Sequence, residues 1–560
     1  MTNSMKSKET PTMRTHASIR GIIAAIALVS LTAACASCGK APESGGTPQA
    51  NETTIMTPEA NGEVEKVRWN LFAGEPDSIN PFRSADYSPN TVVSNMCETL
   101  LAQKPDYTIE PNLATQITNP DPLHWVIDLR DDVTFWDGSP MTAADVVFSM
   151  NVNLTDPRSF YNYIYERVAS VDVTGDHQVT VTLSQPDFLF PEELASFAGV
   201  VVQQKYYEAN AENFGTSNGG LMCTGPFQLA EWNIGQSITL EKNGSYWNQD
   251  LQPKIGTLEF TFLINPASIT SALISGEIDG QYNVSTSSLA QLRQSSTGSV
   301  YLGTPILSST FVYANPEGAM SDARLREALQ IAIDWDGIAK SVFNGAGEVM
   351  HGPAPVTTMN GDMHDQLIAG YEALPAPQSM QYDKAKELLK DVPADVLAKP
   401  VSMVVPASGE GQGFGLAVES AAKEIGLDFT LKVVPPDVFG SYLYDPQTRG
   451  DTDMLYTRFW PNIPNTLDWF WMTAVSGGSF NQYGYTGVDE LFAQAIATED
   501  PAARADLTVE MQAKLREDLL PMVPGIATYN SLWLNKRISG APASFNFAYY
   551  PWAAYIGGTE

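Results

Sequence analysis

The sequence has few residues with which to build a metal centre or to bind nucleic acid. Its 560 residues include five His, four Cys and 32 Lys plus Arg, against 64 Asp plus Glu, so the formal net charge is −32. Nucleic-acid binding needs a basic surface, and this charge excludes it. The sequence has no H-E-x-x-H pattern, and we expect neither a metal nor another cofactor. It also has no Walker A motif, so any ATP-driven step needs a separate ATPase.

The N-terminus has the features of an export signal. Residues 1–20 carry four bases and one acid, and Gly21–Ala34 carries no charge and ends directly before Cys35. A basic segment, an apolar segment and small residues before a cleavage point are typical of a signal peptide. The apolar segment is shorter than the roughly 20 residues that a membrane-spanning helix needs. We therefore predict that residues 1–34 are removed on export.

The residues around the predicted cleavage point resemble a bacterial lipobox, in which the signal peptidase cuts before a diacylated Cys. They read Leu31-Thr32-Ala33-Ala34-Cys35. We predict that Cys35 is lipidated and anchors the chain to the outer face of the cell membrane, because two or three acyl chains bind a bilayer durably. A periplasmic location is the alternative. Cys35 and Cys38 also form a C-x-x-C pattern, but a thioredoxin-type site needs a strand before it and a helix after it.

The segment after Cys35 has the composition of a tether. Residues 35–63 are rich in Gly, Pro, Ser, Thr, Asn and Ala and poor in large apolar residues. Such a segment cannot bury enough surface to fold, so we predict that it is flexible. From Val64 onward the composition is globular. Roughly 500 residues exceed what one hydrophobic core can hold, and two or three domains are expected.

Strand and helix patterns alternate along the globular part. Apolar alternation predicts strands at His124–Leu129 and Val171–Leu183, among others, and helical periodicity predicts helices at Thr142–Asn153 and Asp322–Phe343. Thr142 and Asp145 form a capping-box pattern at the start of one helix. Strands that are separated by helices predict an α/β fold.

The two remaining cysteines, Cys97 and Cys223, are a candidate disulfide. A disulfide can persist outside the cytoplasm. The alternative, two buried free thiols, stays open at the level of sequence.

Several motifs, in order along the chain, resemble one family. They are Glu75-Pro76-Asp77-Ser78-Ile79-Asn80-Pro81, Glu98-Thr99-Leu100-Leu101, Pro111-Asn112-Leu113-Ala114, the stretch from Leu129 to Val147, Cys223-Thr224-Gly225-Pro226-Phe227, Leu325-Arg326-Glu327-Ala328-Leu329 and Tyr382-Asp383-Lys384-Ala385-Lys386. The stretch LRDDVTFWDGSPMTAADVV is the strongest match. Together they resemble the extracytoplasmic solute-binding proteins of ABC transporters, family 5, the dipeptide, oligopeptide and nickel-binding type.

The resemblance implies a periplasmic-binding-protein fold of type II in its three-subdomain form. Two α/β lobes would be joined by a hinge and would enclose a ligand in the cleft between them. Lobe I would comprise residues 64–100, 222–315 and 525–560. An extra subdomain of lobe I would span 101–221, and lobe II would span 316–524.

The resemblance also implies a function. The chain would not be an enzyme. It would be the lipid-anchored receptor of an ABC importer, and it would deliver an oligopeptide or similar small solute to permease subunits that work with a separate ATPase. An oligosaccharide is the alternative ligand. We expect a monomer.

The segment from Tyr456 to Asn465 corresponds to the place where peptide-binding relatives carry an acid that pairs with the peptide ammonium. Asn462 takes the position of that acid, with Asp468 as an alternative; an Asn binds an ammonium without neutralising it. The candidate ligand-binding residues are Tyr456, Arg458, Trp460, Asn462 and Trp469. Aromatic faces suit sugar rings, apolar side chains or cations. Arg458 suits a ligand carboxylate or, alternatively, an inter-lobe or surface salt bridge.

A surface-tethered hydrolase is the rival interpretation. Gly215-Thr216-Ser217-Asn218-Gly219 fits the G-x-S-x-G pattern, with Ser217 as nucleophile. A nucleophile elbow needs a buried apolar strand before the Ser, and the preceding residues, Ala211-Glu212-Asn213-Phe214, do not predict one.

Overall fold

The computed structural model describes residues 52–361 and 363–560. The predicted signal peptide, the lipidation site Cys35 and the first part of the tether lie outside the described residues. Within the described part of the chain, no helix is both long enough and apolar enough to cross a membrane.

The first lobe is built on a seven-stranded mixed sheet. In spatial order its strands are Gly298–Leu302, Ser531–Asn535, Gly280–Tyr282, Val64–Asn70, Ile255–Thr261, Ser237–Lys242 and Phe227–Asn233. Val64–Asn70 pairs in parallel with Ile255–Thr261. The longer helices of this lobe are Tyr87–Val93 and Pro266–Ser275. Trp69 and Trp552 are fully buried in its core.

The extra subdomain is a four-stranded antiparallel sheet. Its strands, in spatial order, are Ala114–Asp121, His124–Leu129, Gln178–Leu183 and Val168–Gly175. Its helices are Ala143–Thr155, Phe190–Glu193 and Gln204–Asn210. The predicted capping box is present, because Thr142 accepts from the N–H of Asp145 while the Asp145 carboxylate accepts from the N–H of Thr142. A short ladder of Leu101–Gln103 with Ile109–Pro111 leads into this subdomain.

The second lobe is built on a six-stranded sheet. In spatial order its strands are Gly347–Val349, Ile526–Thr528, Leu307–Tyr313, Met454–Phe459, Val401–Pro406 and Phe429–Val434. Its longer helices are Ala323–Ala332, His364–Glu372, Tyr382–Leu389, Gly409–Glu424, Pro436–Tyr444, Thr466–Thr473, Asp489–Ala497 and Pro501–Asp518. Asp500 caps the last of these, and Pro501 occupies its first position.

The lobe boundaries differ from those expected at two places. Strands Leu307–Tyr313 and Ile526–Thr528 were expected in lobe I, but they pair with each other inside the second sheet. Their neighbours along the chain, Gly298–Leu302 and Ser531–Asn535, pair inside the first sheet. The chain therefore crosses between the sheets at residues 303–306 and 529–530.

The last part of the predicted tether is packed on the first lobe. Thr53 bridges Leu302, Met56 bridges Pro542 and Gly62 bridges Gly558. The guanidinium of Arg293 lies 3.0 Å from the carboxylate of Glu52, and Thr57 and Ala60 are buried. The prediction of a flexible tether over 35–63 is therefore wrong for residues 52–63, because backbone bridges and an ion pair hold a segment whose side chains form no core of their own.

Cys97 and Cys223 form a disulfide. It joins the chain just before the extra subdomain to the chain just after it. The disulfide thus closes the base of an insertion of more than a hundred residues.

Candidate functional site

The segment with the candidate ligand-binding residues faces the first lobe. Strand Met454–Phe459 carries Tyr456 and Arg458, and a turn with Trp460 and Asn462 leads into helix Thr466–Thr473.

Asp468 holds this turn from inside the helix. Its Oδ2 accepts hydrogen bonds from the backbone N–H groups of Asn462, at 2.6 Å, and Ile463, at 3.2 Å. Asn465 caps the helix by accepting from the N–H of Leu467. These bonds fix the direction in which Trp460 and Asn462 leave the second lobe.

Arg458 reaches from the second lobe to the first. Its Nη2 donates to Oδ1 of Asn283 at 3.2 Å, and its Nη1 lies 3.5 Å from Oε2 of Glu410. Glu410 belongs to the first turn of helix Gly409–Glu424, where the helix dipole favours a negative charge. The Arg458 and Glu410 side chains are 21% and 17% exposed, so solvent screens this ion pair only in part. The salt bridge of Arg458 with Glu410 therefore lies within the second lobe, not between the lobes or on the surface as the predicted alternative had it.

Asn283 follows strand Gly280–Tyr282 in a left-handed backbone conformation, with φ at 50°. Asn is one of the few residues other than Gly that adopt this conformation readily, and such residues cluster at functional sites. Here the Asn side chain meets Arg458 across the cleft.

Aromatic rings close the cleft beside Arg458. The ring of Trp460 lies 4.4 Å from that of Tyr87 and 5.3 Å from that of Phe545, and Tyr87 also packs at 5.0 Å on Phe72. Burial raises the pKa of Tyr87 well above its usual value, so its hydroxyl stays protonated. Trp460 thus joins the two lobes through ring contacts.

A narrow space extends from this aromatic contact into the first lobe. It is lined by Trp69, Asn70, Leu71, Phe72, Tyr87, Ser88, Thr91 and Tyr282. In the present arrangement of the lobes it has no room for a water molecule.

Asn462 is buried and bonded to the first lobe. Its Nδ2 donates to the hydroxyl of Tyr163, and the hydroxyl of Tyr549 donates to its Oδ1 at 3.1 Å. Its backbone carbonyl accepts from Nε2 of Gln103 at 2.6 Å. The amide therefore fastens the lobes together in this closed arrangement.

Two buried carboxyl groups meet next to Asn462. Glu193, in helix Phe190–Glu193 of the extra subdomain, and Asp468 are both 0% exposed. Burial, then the charge of Asp468, raises the pKa of Glu193 well above its usual value, and burial raises the pKa of Asp468 to about 6. Two ionised carboxylates have no hydrogen to share, so the contact between them requires one proton.

The other two candidates lie deeper in the second lobe. Tyr456 is buried beside Arg458, and its hydroxyl lies 3.4 Å from Ser309 Oγ. Trp469 is fully buried, donates from Nε1 to the carbonyl of Pro353 and packs on Phe459. Trp469 is thus part of the core that supports the turn, since its hydrogen-bonding group is already used there.

Ser217 lacks the setting of a nucleophile elbow. The residues before it form turns that follow helix Gln204–Asn210, where the elbow needs a strand. Within the described residues, no three His, Cys, Asp or Glu side chains lie together so that they could hold a metal ion.

Sequence reasoning missed the first-lobe half of the cleft. Trp69, Tyr87 and Asn283 carry no ligand motif, and Glu410 reads as an ordinary acid at a helix start. The one sequence signal available was that Trp69 and Tyr87 flank the Glu75–Pro81 motif.

A model of the bacterial extracellular solute-binding proteins, family 5 Middle, matches residues 108–481. Among curated proteins, the chain is 25% identical over 487 residues to a probable D,D-dipeptide-binding periplasmic protein of Escherichia coli, with 84% of this chain and 90% of the relative aligned.

Solved structures share the fold. An Agrobacterium tumefaciens binding protein in complex with agropinic acid matches with a TM-score of 0.74 and 22% identity, over 88% of this chain and 98% of that chain. An ABC transporter-associated periplasmic binding protein of Helicobacter pylori in complex with the peptide STSA matches with a TM-score of 0.75 and 20% identity, over 89% of this chain and 99% of that chain. The likeness establishes the two-lobed α/β fold.

Proposed function

The chain belongs to family 5 of the bacterial extracellular solute-binding proteins, and from that membership we propose that it captures an oligopeptide or similar small solute between its lobes for an ABC importer. Members of this family bind solutes and are not enzymes, so Ser217 has no catalytic role. Delivery would be to permease subunits with a separate ATPase, and the receptor would act as a monomer.

The observation that carries the proposal is the cleft between the lobes. Arg458, Trp460 and Asn462 each contact the first lobe, through Asn283, Tyr87 and Tyr163 respectively. A solute that entered the open cleft would be enclosed when these contacts formed. Closure of two lobes around a hinge is the motion by which such receptors hold a ligand.

We assign ligand contact to Tyr456, Arg458, Trp460 and Asn462. Arg458 supplies a planar cation and Trp460 a large ring. Asn462 would exchange its hydroxyl partners for a ligand when the lobes are open. Trp469 supports this set from the core.

An oligosaccharide is the second candidate ligand. The paired rings of Tyr87 and Trp460 support it, because aromatic faces stack on sugar rings. A fold does not determine a ligand, and proteins with this fold are found in complex with agropinic acid and with a peptide.

A thermal-shift screen over peptides and sugars tests capture. A ligand at 100 times its dissociation constant stabilises the protein by about 2.7 kcal/mol. We expect a solute found in this screen to bind one-to-one and to remain chemically unchanged after incubation with the protein. Small-angle scattering should show the lobes closed when it is bound. A time-dependent product that disappears in Ser217→Ala would instead establish a hydrolase.

We also propose that Cys35 carries the lipid anchor. The apolar segment before it and the small residues at the cleavage point support this. Metabolic labelling with a palmitate analogue should mark the wild type and Cys38→Ser but not Cys35→Ser. Equal labelling of both variants would contradict the assignment.

A further inference from the structure

We propose that the solute carries a carboxylate, which the cleft binds between Arg458, Asn283 and the Trp69–Ser88 side of the first lobe. This inference rests on the proposed function and names the class of ligand.

Besides carboxylate oxygens of Glu193 and Asp468, five buried polar groups at the cleft have no hydrogen-bond partner in the described part of the chain. They are Nε1 of Trp69, the hydroxyl of Tyr87, Oγ of Ser88, Nδ2 of Asn283 and Nε of Arg458. A buried donor without an acceptor is costly, so native structures rarely leave several together.

These groups lie together. Trp69, Tyr87 and Ser88 line the same narrow space. Arg458 bonds to Asn283 and acts electrostatically on Tyr87. The five groups therefore surround one region at the boundary of the two lobes.

Their chemistry requires an acceptor. An indole N–H, an amide NH₂ and a guanidinium N–H only donate, and the two hydroxyls can donate as well. A carboxylate offers about four acceptor sites and matches the planar guanidinium. None of these five groups is acceptor-only, and the unpartnered acceptor oxygens at the cleft belong to Glu193 and Asp468, which interact with each other.

Glu410 is the group with which a ligand acid would compete. Its carboxylate oxygen lies 3.5 Å from Nη1 of Arg458, longer than a charge-assisted hydrogen bond. The nearby acids Glu193 and Asp468 are engaged with each other. The rings of Phe72, Tyr87 and Trp460 would then hold an apolar or ring-shaped body behind the carboxylate.

Matched probes test the class. The first pairs are N-acetyl-amino acids and N-acetyl-dipeptides, each as free acid and as amide, and the second pairs are uronic acids and the corresponding neutral hexoses. Calorimetry should show the acid of a binding pair at least tenfold tighter than its neutral partner, because hydrogen bonds to a charged group are among the strongest. Free amines such as phenylalaninamide should gain nothing from their charge.

Variants separate ligand contact from folding. Trp69→Phe and Tyr87→Phe each keep an aromatic ring and remove one donor, and should weaken binding of the acid severalfold more than binding of its neutral partner. Trp533→Phe is the control, because Trp533 is equally buried and its Nε1 is also unpartnered, but it packs in a separate cluster with Ile269 and Leu273. Glu410→Gln should tighten acid binding, because a neutral amide no longer competes for Arg458.

The outcomes distinguish this inference from the proposed function. A solute that closes the lobes and binds equally as acid and as amide, or a preference for amines, overturns the carboxylate class and leaves capture intact. Loss of acid preference in Trp533→Phe to the same extent as in Trp69→Phe also overturns it. Failure of every peptide, sugar and acid to bind counts against solute capture itself.

Discussion

Glu98 is the residue on which the junction of lobe I and its extra subdomain depends. Its carboxylate is 4% exposed and accepts from Thr224 Oγ1, Tyr246 Oη and Trp247 Nε1, each at 2.8 Å. We expect Glu98→Ala to lower the free energy of unfolding by about 3 kcal/mol or more, because three buried donors lose their acceptor. Denaturation in guanidinium chloride measures the change.

Glu98→Gln is the matched control, since an amide oxygen can still accept. It should lose about 1–2 kcal/mol. If the alanine and glutamine variants unfolded at the same denaturant concentration, the acceptor that glutamine keeps would contribute nothing to stability.

Among the side chains that line the cleft, residue type and the family segment indicated some and missed others. Arg458 and Trp460 were chosen because their types suit ligands and a family segment pointed to them, and both contact the first lobe. Trp469 was chosen by the same reasoning but lies in the core, because composition does not tell which face of a helix is buried. Asn283 and Glu410 were missed, since long-range pairing with Arg458 leaves no local pattern.

At the scale of elements, local signals located the ends of helices but misjudged their continuity. The capping box at Thr142 is present as expected. The helix expected over Asp322–Phe343 is interrupted after Ala332, because Ile333 is extended and Asp334 caps a new turn. The strand expected over Val171–Leu183 is a hairpin that turns at Asp176-His177, since alternation continues through the turn and hides it.

The capping box gives the prediction at this scale. Thr142→Ala removes the side-chain acceptor for the N–H of Asp145 and should cost about 1 kcal/mol of stability. Thr155→Ala, at the other end of the same helix, removes an exposed hydroxyl bonded only to the carbonyl of Asn151, and should change stability by less than about 0.5 kcal/mol. Equal effects in thermal melts would show that the cap does not stabilise the helix.

For the whole molecule, the family resemblance predicted the architecture well and the boundaries less well. The two-lobed α/β fold is as expected, and the strand pairing adds that residues 114–183 form a separate four-stranded sheet. The points at which the chain crosses between the lobes differ by several residues from those expected. A strand belongs to the sheet with which it pairs, and the sequence does not reveal its pairing partner. Residues 52–63 were taken for tether because their hydrogen bonds go to distant residues such as Ala541 and Gly558.

The acids Glu193, in the extra subdomain, and Asp468, in the second lobe, interact across the lobes. The groups that surround this pair are Asp187, Glu192, Tyr161, Tyr163 and Tyr549. Burial raises the pKa of Asp187 to about 6, against the lowering effect of Arg167, and burial keeps the three tyrosines neutral. No cation of the described residues is paired with Glu193 or Asp468, so a proton is what makes their contact favourable.

Because the contact between Glu193 and Asp468 needs a proton, this pair should make the folded protein less stable at alkaline pH than at mildly acidic pH. Folding raises the pKa of both carboxyl groups. The stability that the protonated pair contributes is therefore fully present below the pKa of an unfolded carboxyl group, about 4. It is lost as the pH rises through the pKa values of the folded protein, about 6 for Asp468. Glu193→Gln supplies a neutral donor to Asp468 at every pH. Thermal melts should show this variant about 1–4 kcal/mol more stable than the wild type at pH 8 and equal to it near pH 4.5. Glu192→Gln, one residue away, is the control and should show the same dependence of stability on pH as the wild type. If Glu193→Gln also paralleled the wild type, the two acids would share no proton.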